Sequence, residues 1–348
     1  LHSSRGGSIW SPVTSSPDVI VIGAGVLGLC SAAELGARGH AVTVIDPGGP
    51  NASSAAAGMI APALESLSDD STPERAALLK RARDRWPGFA ETFGLTLHRD
   101  GVDWRGPDIP AALTRLAAMG FAASRSPAGL TSPEDWRVEV ATALKALARA
   151  PGVTVIRSSV ARLSADARRW RVEAEDGRTW FAPTVVLATG VAAPLPGLPE
   201  RAAAAVAAVE PFRGQLTPVS APPPPRTLRT PDLYIVPAAG GVVIGATMER
   251  GRRDIEPDLA ESARRVTAGL ALLGAAGEAG SPRVGVRGAS PDGLPLAGSA
   301  GEPGLHLALA PFRNGWLLGP LVAQVVADGV EGRAPVADAA ALDPLRFA

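Results

Sequence analysis

Residues 18–46 read DVIVIGAGVLGLCSAAELGARGHAVTVID, and few stretches of this length restrict a fold so tightly. Val19–Ile22 is an unbroken β-branched run, the pattern of a strand buried on both faces. Glycines follow, then a small-residue helix predicted over Val26–Ala37, then a second apolar run, Ala41–Asp46, ending in an acid. This is a βαβ unit whose first turn can cradle a dinucleotide. Gly23 permits the tight turn, Gly25 lets backbone approach a pyrophosphate, and Gly28 lets the helix pack close to the strand. The helix N-terminus, at Val26 and Leu27, offers free N–H groups and positive partial charge to phosphate oxygens. Asp46 stands where an acid accepts both hydroxyls of a ribose; the plainer alternative is a solvated turn residue before Pro47-Gly48.

The rest of the chain bears on which dinucleotide is held. A nicotinamide-binding domain usually continues strand–helix–strand at once to complete its sheet. Here the chain leaves through PGGPNASSAAAGMIAP (47–62) and passes predicted helices at 73–93, 109–119 and 138–150. Strands of period two follow Pro151-Gly152, and the buried run VVLATG (185–190) comes only after them. RGQLTPVS (213–220) opens a further set of strands, the proline run 222–225 is an extended surface connection, and 234–248 reads as a hairpin turning at Gly240-Gly241. An amphipathic helix is predicted over 259–273, and the tail is a strand, a loop and a last buried helix. A dinucleotide domain interrupted in this way suits FAD, with the excursions forming a second domain.

Composition narrows the function classes. The 348 residues are 46% apolar, ample for a core of one large or two medium domains. Lysine plus arginine balance aspartate plus glutamate at 34 each, so no basic field favours nucleic acid or a membrane surface. Cys30 is the only cysteine and there are four scattered histidines, which exclude an internal disulfide and argue against a metal centre. Residues 1–16 read as a disordered leader or a remnant of cloning, and no apolar run has the length of a membrane span. A cytoplasmic protein is expected.

Beyond the opening motif, five segments carry a family resemblance: SSAAAGMIAP (53–62), VVLATG (185–190), YIVPAAGGVVIGATM (234–248), GVRGASPDGLPLAG (285–298) and FRNGWLLGP (312–320). In this order the chain resembles the flavoprotein family of D-amino acid oxidase and sarcosine oxidase, most of all its glycine oxidase branch. The resemblance implies an α/β fold: a discontinuous Rossmann-like FAD-binding domain (17–62, 140–210 and 284–348) and a substrate domain on an antiparallel sheet (63–139 and 211–283). It implies non-covalent FAD, since no cysteine lies near GVRG, where sarcosine oxidase relatives tether flavin; Cys30 packs as a small apolar residue. It also places FAD contacts at Ser53, Ser54, Ala57, Gly58 and Met59, at the backbone of Val160 beside the adenine, and at Ala188, Thr189 and Gly190. The last such group is Asn314, Gly315, Trp316 and Leu317, where a helix N-terminus points at the flavin pyrimidine ring.

Oxidising an α-amino acid to its imine moves a hydride from Cα to flavin N5, driven by the lone pair of a neutral amine. The protein must therefore orient the substrate and exclude water rather than supply a base. A carboxylate in an apolar pocket calls for arginine's planar fork. Arg287 and Arg313 both sit in glycine-containing loops; the position matching Arg287 is the family's carboxylate clamp, and that of Arg313 lies near the substrate or flavin. The alternative is that one of them is a structural ion-pair arginine. Tyr234, the only tyrosine, matches a position that hydrogen-bonds the carboxylate, unless it caps the core. Met59 and Met248 are expected to line the pocket, or to act as filler, and Glu65 to stand at its mouth.

Three departures bear on substrate. The region 101–139 is shorter than in the family, so the covering loop is expected to be abbreviated or replaced. Ala310-Pro311 stands where relatives carry glycine and histidine or tyrosine, and Gly288 where they carry proline. The expected activity is FAD-dependent oxidative deamination of glycine or a small amino acid, with oxygen as acceptor, in a role serving thiamine thiazole biosynthesis. The same chemistry on a secondary amine (sarcosine or an N-carboxymethyl compound) or on a D-amino acid is the alternative. A nicotinamide-dependent dehydrogenase or a non-catalytic Rossmann module stands further off. Homo-oligomers are left open.

Overall fold

Strand Val19–Ile22 lies at the centre of a six-stranded sheet whose members come from three distant parts of the chain. In spatial order they are Leu296–Ser299, Leu305–Leu309, Thr184–Leu187, Val19–Ile22, Val42–Asp46 and Val153–Arg157. All neighbours are parallel except the edge pair Leu296–Ser299 and Leu305–Leu309. The computed structural model describes residues 17–347, so the leader expected at 1–16 lies outside the described residues.

The unbroken apolar runs are explained by burial on both faces. Val19, Val21, Val42, Val44 and Val186 point into one core, packed under helices Val26–Ala37 and Gly315–Val330. Their alternates Ile20, Ile22, Ile45, Val185 and Leu187 point into another. That second core is covered by helix Glu200–Ala207 and by the meander Val160–Asp166, Arg169–Ala174 and Thr179–Ala182. A one-residue slip would exchange the two faces.

The second large sheet is antiparallel over most of its extent and centres on the long strand Glu210–Ser220. Gly241–Gly245, Tyr234–Ala238 and Thr227–Arg229 continue it on one side. Beyond them come Val102–Trp104, Gly129–Ser132 and Ser124–Ser126, so the shortened region extends this sheet through strands and the helix Ile109–Ala118. Strand Arg283–Ala289 pairs with Glu210–Ser220 from Glu210↔Ala289 to Leu216↔Arg283, so the boundary expected at 284 runs through a strand of this second sheet. A small sheet of Met59–Ile60, Trp136–Val138 and Leu97–His98 ties the departing segment down.

Element boundaries differ from expectation where local chemistry intervenes. The helical pattern over 73–93 is two helices, Pro73–Asp84 and Trp86–Phe93; Pro87 lacks an N–H and disfavours helical continuation before it. Both pack into the first core, and the Trp86 indole N–H donates to the carbonyls of Trp316 and Leu317 at 3.1 and 3.2 Å. The helix expected at 138–150 is Val140–Leu147, because Val138 is still paired with Leu97 as a strand. Helices Val26–Ala37 and Leu259–Leu273 have the predicted bounds. Among the described residues no helix is long and apolar enough to cross a membrane, and no group of three or more His, Cys, Asp or Glu side chains could hold a metal ion.

Candidate active site

At the end of strand Val19–Ile22, Gly23 takes φ +110°, and a Cβ there would lie 2.3 Å from the carbonyl oxygen of Ala188. A Cβ on Gly28 would lie 2.1 Å from the Gly23 carbonyl oxygen, so the helix touches the turn as only glycine allows. The first turn of that helix has no side-chain cap from Gly25. Instead the Val26 amide donates to Ser53 Oγ at 2.8 Å and the Leu29 amide to the Gly25 carbonyl at 2.9 Å. The Leu27 and Gly28 amides between them have no partner within the helix.

Asp46 closes the other side. Its carboxylate accepts the Ala24 amide at 2.7 Å and the Gly48 amide at 2.7 Å, one on each oxygen. A carboxylate offers about four acceptor positions, so two stay open for hydroxyl donors. Val160 begins its strand at the same end of the sheet, two residues after Ser158, whose amide donates to the Asp46 carbonyl at 2.9 Å.

A narrow cavity of about 110 Å³ runs from Gly25–Leu27 past Ser53, Ala188 and Gly190 to Gly315 and Trp316. It therefore joins the N-terminus of helix Val26–Ala37 to that of helix Gly315–Val330. The second helix has no cap from its own N-cap side chain, and among the described residues the Nδ2 of that residue, Asn314, is buried without a partner. The Trp316 indole N–H donates to the Ser53 carbonyl at 3.3 Å, tying the two ends together. A Cβ at Gly315 would stand 3.1 Å from Val26 Cγ1 and crowd the passage. Two helix N-termini with amides left free, an orphaned side-chain amide and a groove kept open by glycines fit an extended dinucleotide such as FAD.

Not every residue expected at the cofactor faces this cavity. Ser54 is engaged with Asn51: its Oγ accepts the Asn51 amide at 3.0 Å and its own amide donates to Asn51 Oδ1 at 2.9 Å. Leu317 lies in the apolar core, and Thr189 lines neither this cavity nor the next. Ala57, Gly58 and Met59 line the adjoining cavity instead. Cys30 is fully buried, and burial pushes its thiol pKa well above the usual range.

That adjoining cavity, about 270 Å³, shares Ala52, Ala56, Arg287, Arg313 and Trp316 with the first. Gly214 lines it, and Gly245 lies on the neighbouring strand beneath Tyr234. A Cβ on Gly214 would lie 2.1 Å from Arg287 Nη1, and one on Gly245 would lie 2.8 Å from the Tyr234 hydroxyl oxygen. Both polar side chains thus lie flat over glycine on neighbouring strands and reach the same space. Arg287 Nη1 donates to the Thr247 carbonyl at 3.3 Å and lies 3.8 Å from Met248 Sδ. Among the described residues it enters no ion pair, and burial lowers its pKa below the ordinary arginine value. Burial raises the Tyr234 hydroxyl above its ordinary value, against the Arg287 charge, so it is a neutral phenol.

Arg313 behaves differently. Its guanidinium is paired with Glu65 and Asp69, and Arg229 Nη1 binds the other oxygen of Glu65 at 2.8 Å. Burial opposes charge on Glu65, but Arg229 and Arg313 together hold its carboxyl below the usual range. Burial raises Asp69 despite Arg313. Of the two arginines singled out in the sequence, Arg313 is the ion-paired one. Arg229 and Asp69 were not singled out; no motif surrounds them, and only the pairing of strand Thr227–Arg229 with Val102–Trp104 and Tyr234–Ala238 brings Arg229 here. Asp135 was also missed. It accepts the Ala63 and Leu64 amides at 2.8 and 3.2 Å, anchoring the helix that carries Glu65, and burial pushes its pKa up to about 7.

Comparison with known proteins places this geometry. The family model described as "FAD dependent oxidoreductase" (DAO) matches residues 18–329. The chain is 31% identical over 382 residues to the glycine oxidase of Geobacillus kaustophilus, covering 94% of this chain and 96% of that protein. A crystal structure of glycine oxidase from Geobacillus kaustophilus superposes with a TM-score of 0.80 at 28% identity, covering 96% of this chain and 99% of the other. Two bifunctional proteins are also similar over most of this chain. The tRNA 5-methylaminomethyl-2-thiouridine biosynthesis protein MnmC of Chromohalobacter salexigens is 30% identical over 86% of it, and the protein ThiO/ThiG of Trichormus variabilis 28% identical over 89%. The chain spans about half of their lengths, 46% and 52%. The cradle therefore holds FAD rather than a nicotinamide cofactor. The chain is an enzyme and belongs to the DAO family of FAD-dependent oxidoreductases.

Proposed function

We propose that the chain is a cytoplasmic oxidase of glycine or another small α-amino acid, converting the amine to the imine with oxygen as final acceptor. One observation carries this reading: among the described residues Arg287 is the cavity arginine without a carboxylate partner, while the charges of Arg229 and Arg313 are matched by Glu65 and Asp69. Among the described residues the cavity thus has one free cation to offer, which suits a substrate with one carboxylate. When bound, FAD supplies the hydride acceptor.

The chain's own residues bind and orient. Arg287 takes the carboxylate through two parallel hydrogen bonds, and the Tyr234 hydroxyl donates to it from the adjacent strand. Held by that end beside Gly214, the substrate presents its Cα toward the cofactor groove. Met59 and Trp316 form apolar wall that excludes water. No side chain is required as a base, because the substrate reacts with its amine neutral. The two helix ends would hold the cofactor, the amides of Leu27 and Gly28 at the pyrophosphate and the helix that begins at Gly315 near the flavin, where its dipole would favour negative charge.

Similarity to ThiO/ThiG supports a role for the product in thiamine thiazole formation. Oxidation of a secondary amine is the second reading. It is favoured by Met248, which lines the cavity yet is 43% exposed, so the cavity opens to solvent on that side. Steady-state oxygen uptake with glycine, sarcosine and larger amino acids separates the two: the first reading predicts the highest kcat/KM for primary amines, and a preference for N-alkylglycines contradicts it.

A further inference from the structure

We propose that Met248 is a peroxide-sensitive brake on this site: oxidation of its sulfur sets an oxygen against Arg287 and weakens carboxylate binding. The inference rests on the reading that Arg287 takes the substrate carboxylate. The chain has three methionines. Met119 is 8% exposed in an apolar cluster with Leu116 and Phe121, and Met59 is half-buried in a paired strand. Met248 is 43% exposed, lines the cavity, and holds its sulfur 3.8 Å from Arg287 Nη1. It is therefore the thioether most open to a soluble oxidant and the one already in contact with the free guanidinium.

An oxidase of this class releases hydrogen peroxide beside that cavity. The thioether lone pair attacks one peroxide oxygen and the O–O bond breaks. The sulfur is oxidised to sulfoxide, and the displaced hydroxide takes up the remaining proton to leave as water. The sulfoxide oxygen is a strong acceptor, whereas the thioether is a weak one. Carried on that sulfur, it lies within hydrogen-bonding reach of Arg287 and competes with an incoming carboxylate. Reduction of the sulfoxide restores the thioether, so the brake is reversible.

The test treats FAD-loaded enzyme with hydrogen peroxide in the absence of any amine. Peptide mass mapping then locates the added oxygen, and glycolate, a carboxylate without an amine, is titrated against the flavin absorbance. We expect Met248 to gain oxygen before Met59 and Met119. Glycolate affinity should then fall by about tenfold, the size of one charged hydrogen bond, and return with methionine sulfoxide reductase. Met248→Leu should keep its own untreated affinity through the treatment, while Met119→Leu, changed in an apolar cluster away from the cavity, loses affinity on treatment as the wild type does. Oxidation that spares Met248, an affinity unmoved by its oxidation, or equal loss in Met248→Leu overturns the inference. Failure of the underlying reading looks different: untreated enzyme then binds no glycolate, whatever the mass map shows.

Discussion

Arg287 and Glu65 divide the electrostatic work of the cavity. Arg287→Lys keeps a positive charge but loses the planar fork, so it should retain FAD and lose about 1.5–3 kcal/mol of carboxylate affinity, the scale of a charged hydrogen bond. Glycolate titration of the variant measures this, and unchanged affinity would falsify the clamp assignment. Glu65→Gln acts on the paired side. Removing this buried carboxylate strands Arg229 and leaves Arg313 with Asp69 alone, which should cost about 3–5 kcal/mol of stability. The surviving protein should also gain affinity for dicarboxylates, since its cavity then has unmatched cations. A wild-type melting temperature would show that solvent screens those guanidinium groups. Arg287 and Tyr234 were legible in the sequence because they fall in motif segments. Arg229, Asp69 and Asp135 were not, because a buried charge network is assembled by tertiary pairing and leaves no local spacing behind.

At the level of elements, the account turns on how closely the first helix approaches its strand. Gly28→Val places atoms where the Gly23 carbonyl already sits, so the helix must move outward. Overpacking of this kind costs about 1–3 kcal/mol, and it should also displace the amides that meet the pyrophosphate. Flavin content after gel filtration measures the effect; full retention of FAD would mean that the helix end is not the anchor. Strand Leu305–Leu309 makes a separate prediction through His306, which is 5% exposed. Burial lowers its pKa to about 4 from an ordinary 6.5, so the unfolded chain binds more protons between these values. Its stabilising contribution is complete above pH 6.5 and is lost as pH falls toward 4, by up to about 3 kcal/mol. His306→Gln should flatten the acid limb of a melting-temperature profile, and an unaltered limb would assign the acid sensitivity to carboxylates instead. The opening βαβ unit was readable nearly to the residue because its periodicity and glycines are local. The break at Arg85 depended on a proline inside an otherwise continuous pattern. The pairing of Arg283–Ala289 with Glu210–Ser220 depended on a long-range partner that no window of sequence contains.

For the whole molecule, three remote stretches of chain build one sheet, and the loops leaving it converge on two joined cavities. The cofactor class followed from the interruption itself, since a chain that departs after one βαβ unit and returns late suits FAD better than a nicotinamide. The substrate did not follow, because 101–139 became strands of the second sheet rather than a recognisable covering loop. Anaerobic titration of the FAD-loaded enzyme with glycine, other small amino acids and N-alkylglycines tests the central claim most directly. The account predicts that the flavin absorbance bleaches with a small amino acid, and that Arg287→Lys needs far more substrate to reach the same rate. A flavin that stays oxidised with every member of the panel, or a protein that cannot retain FAD at all, would contradict it.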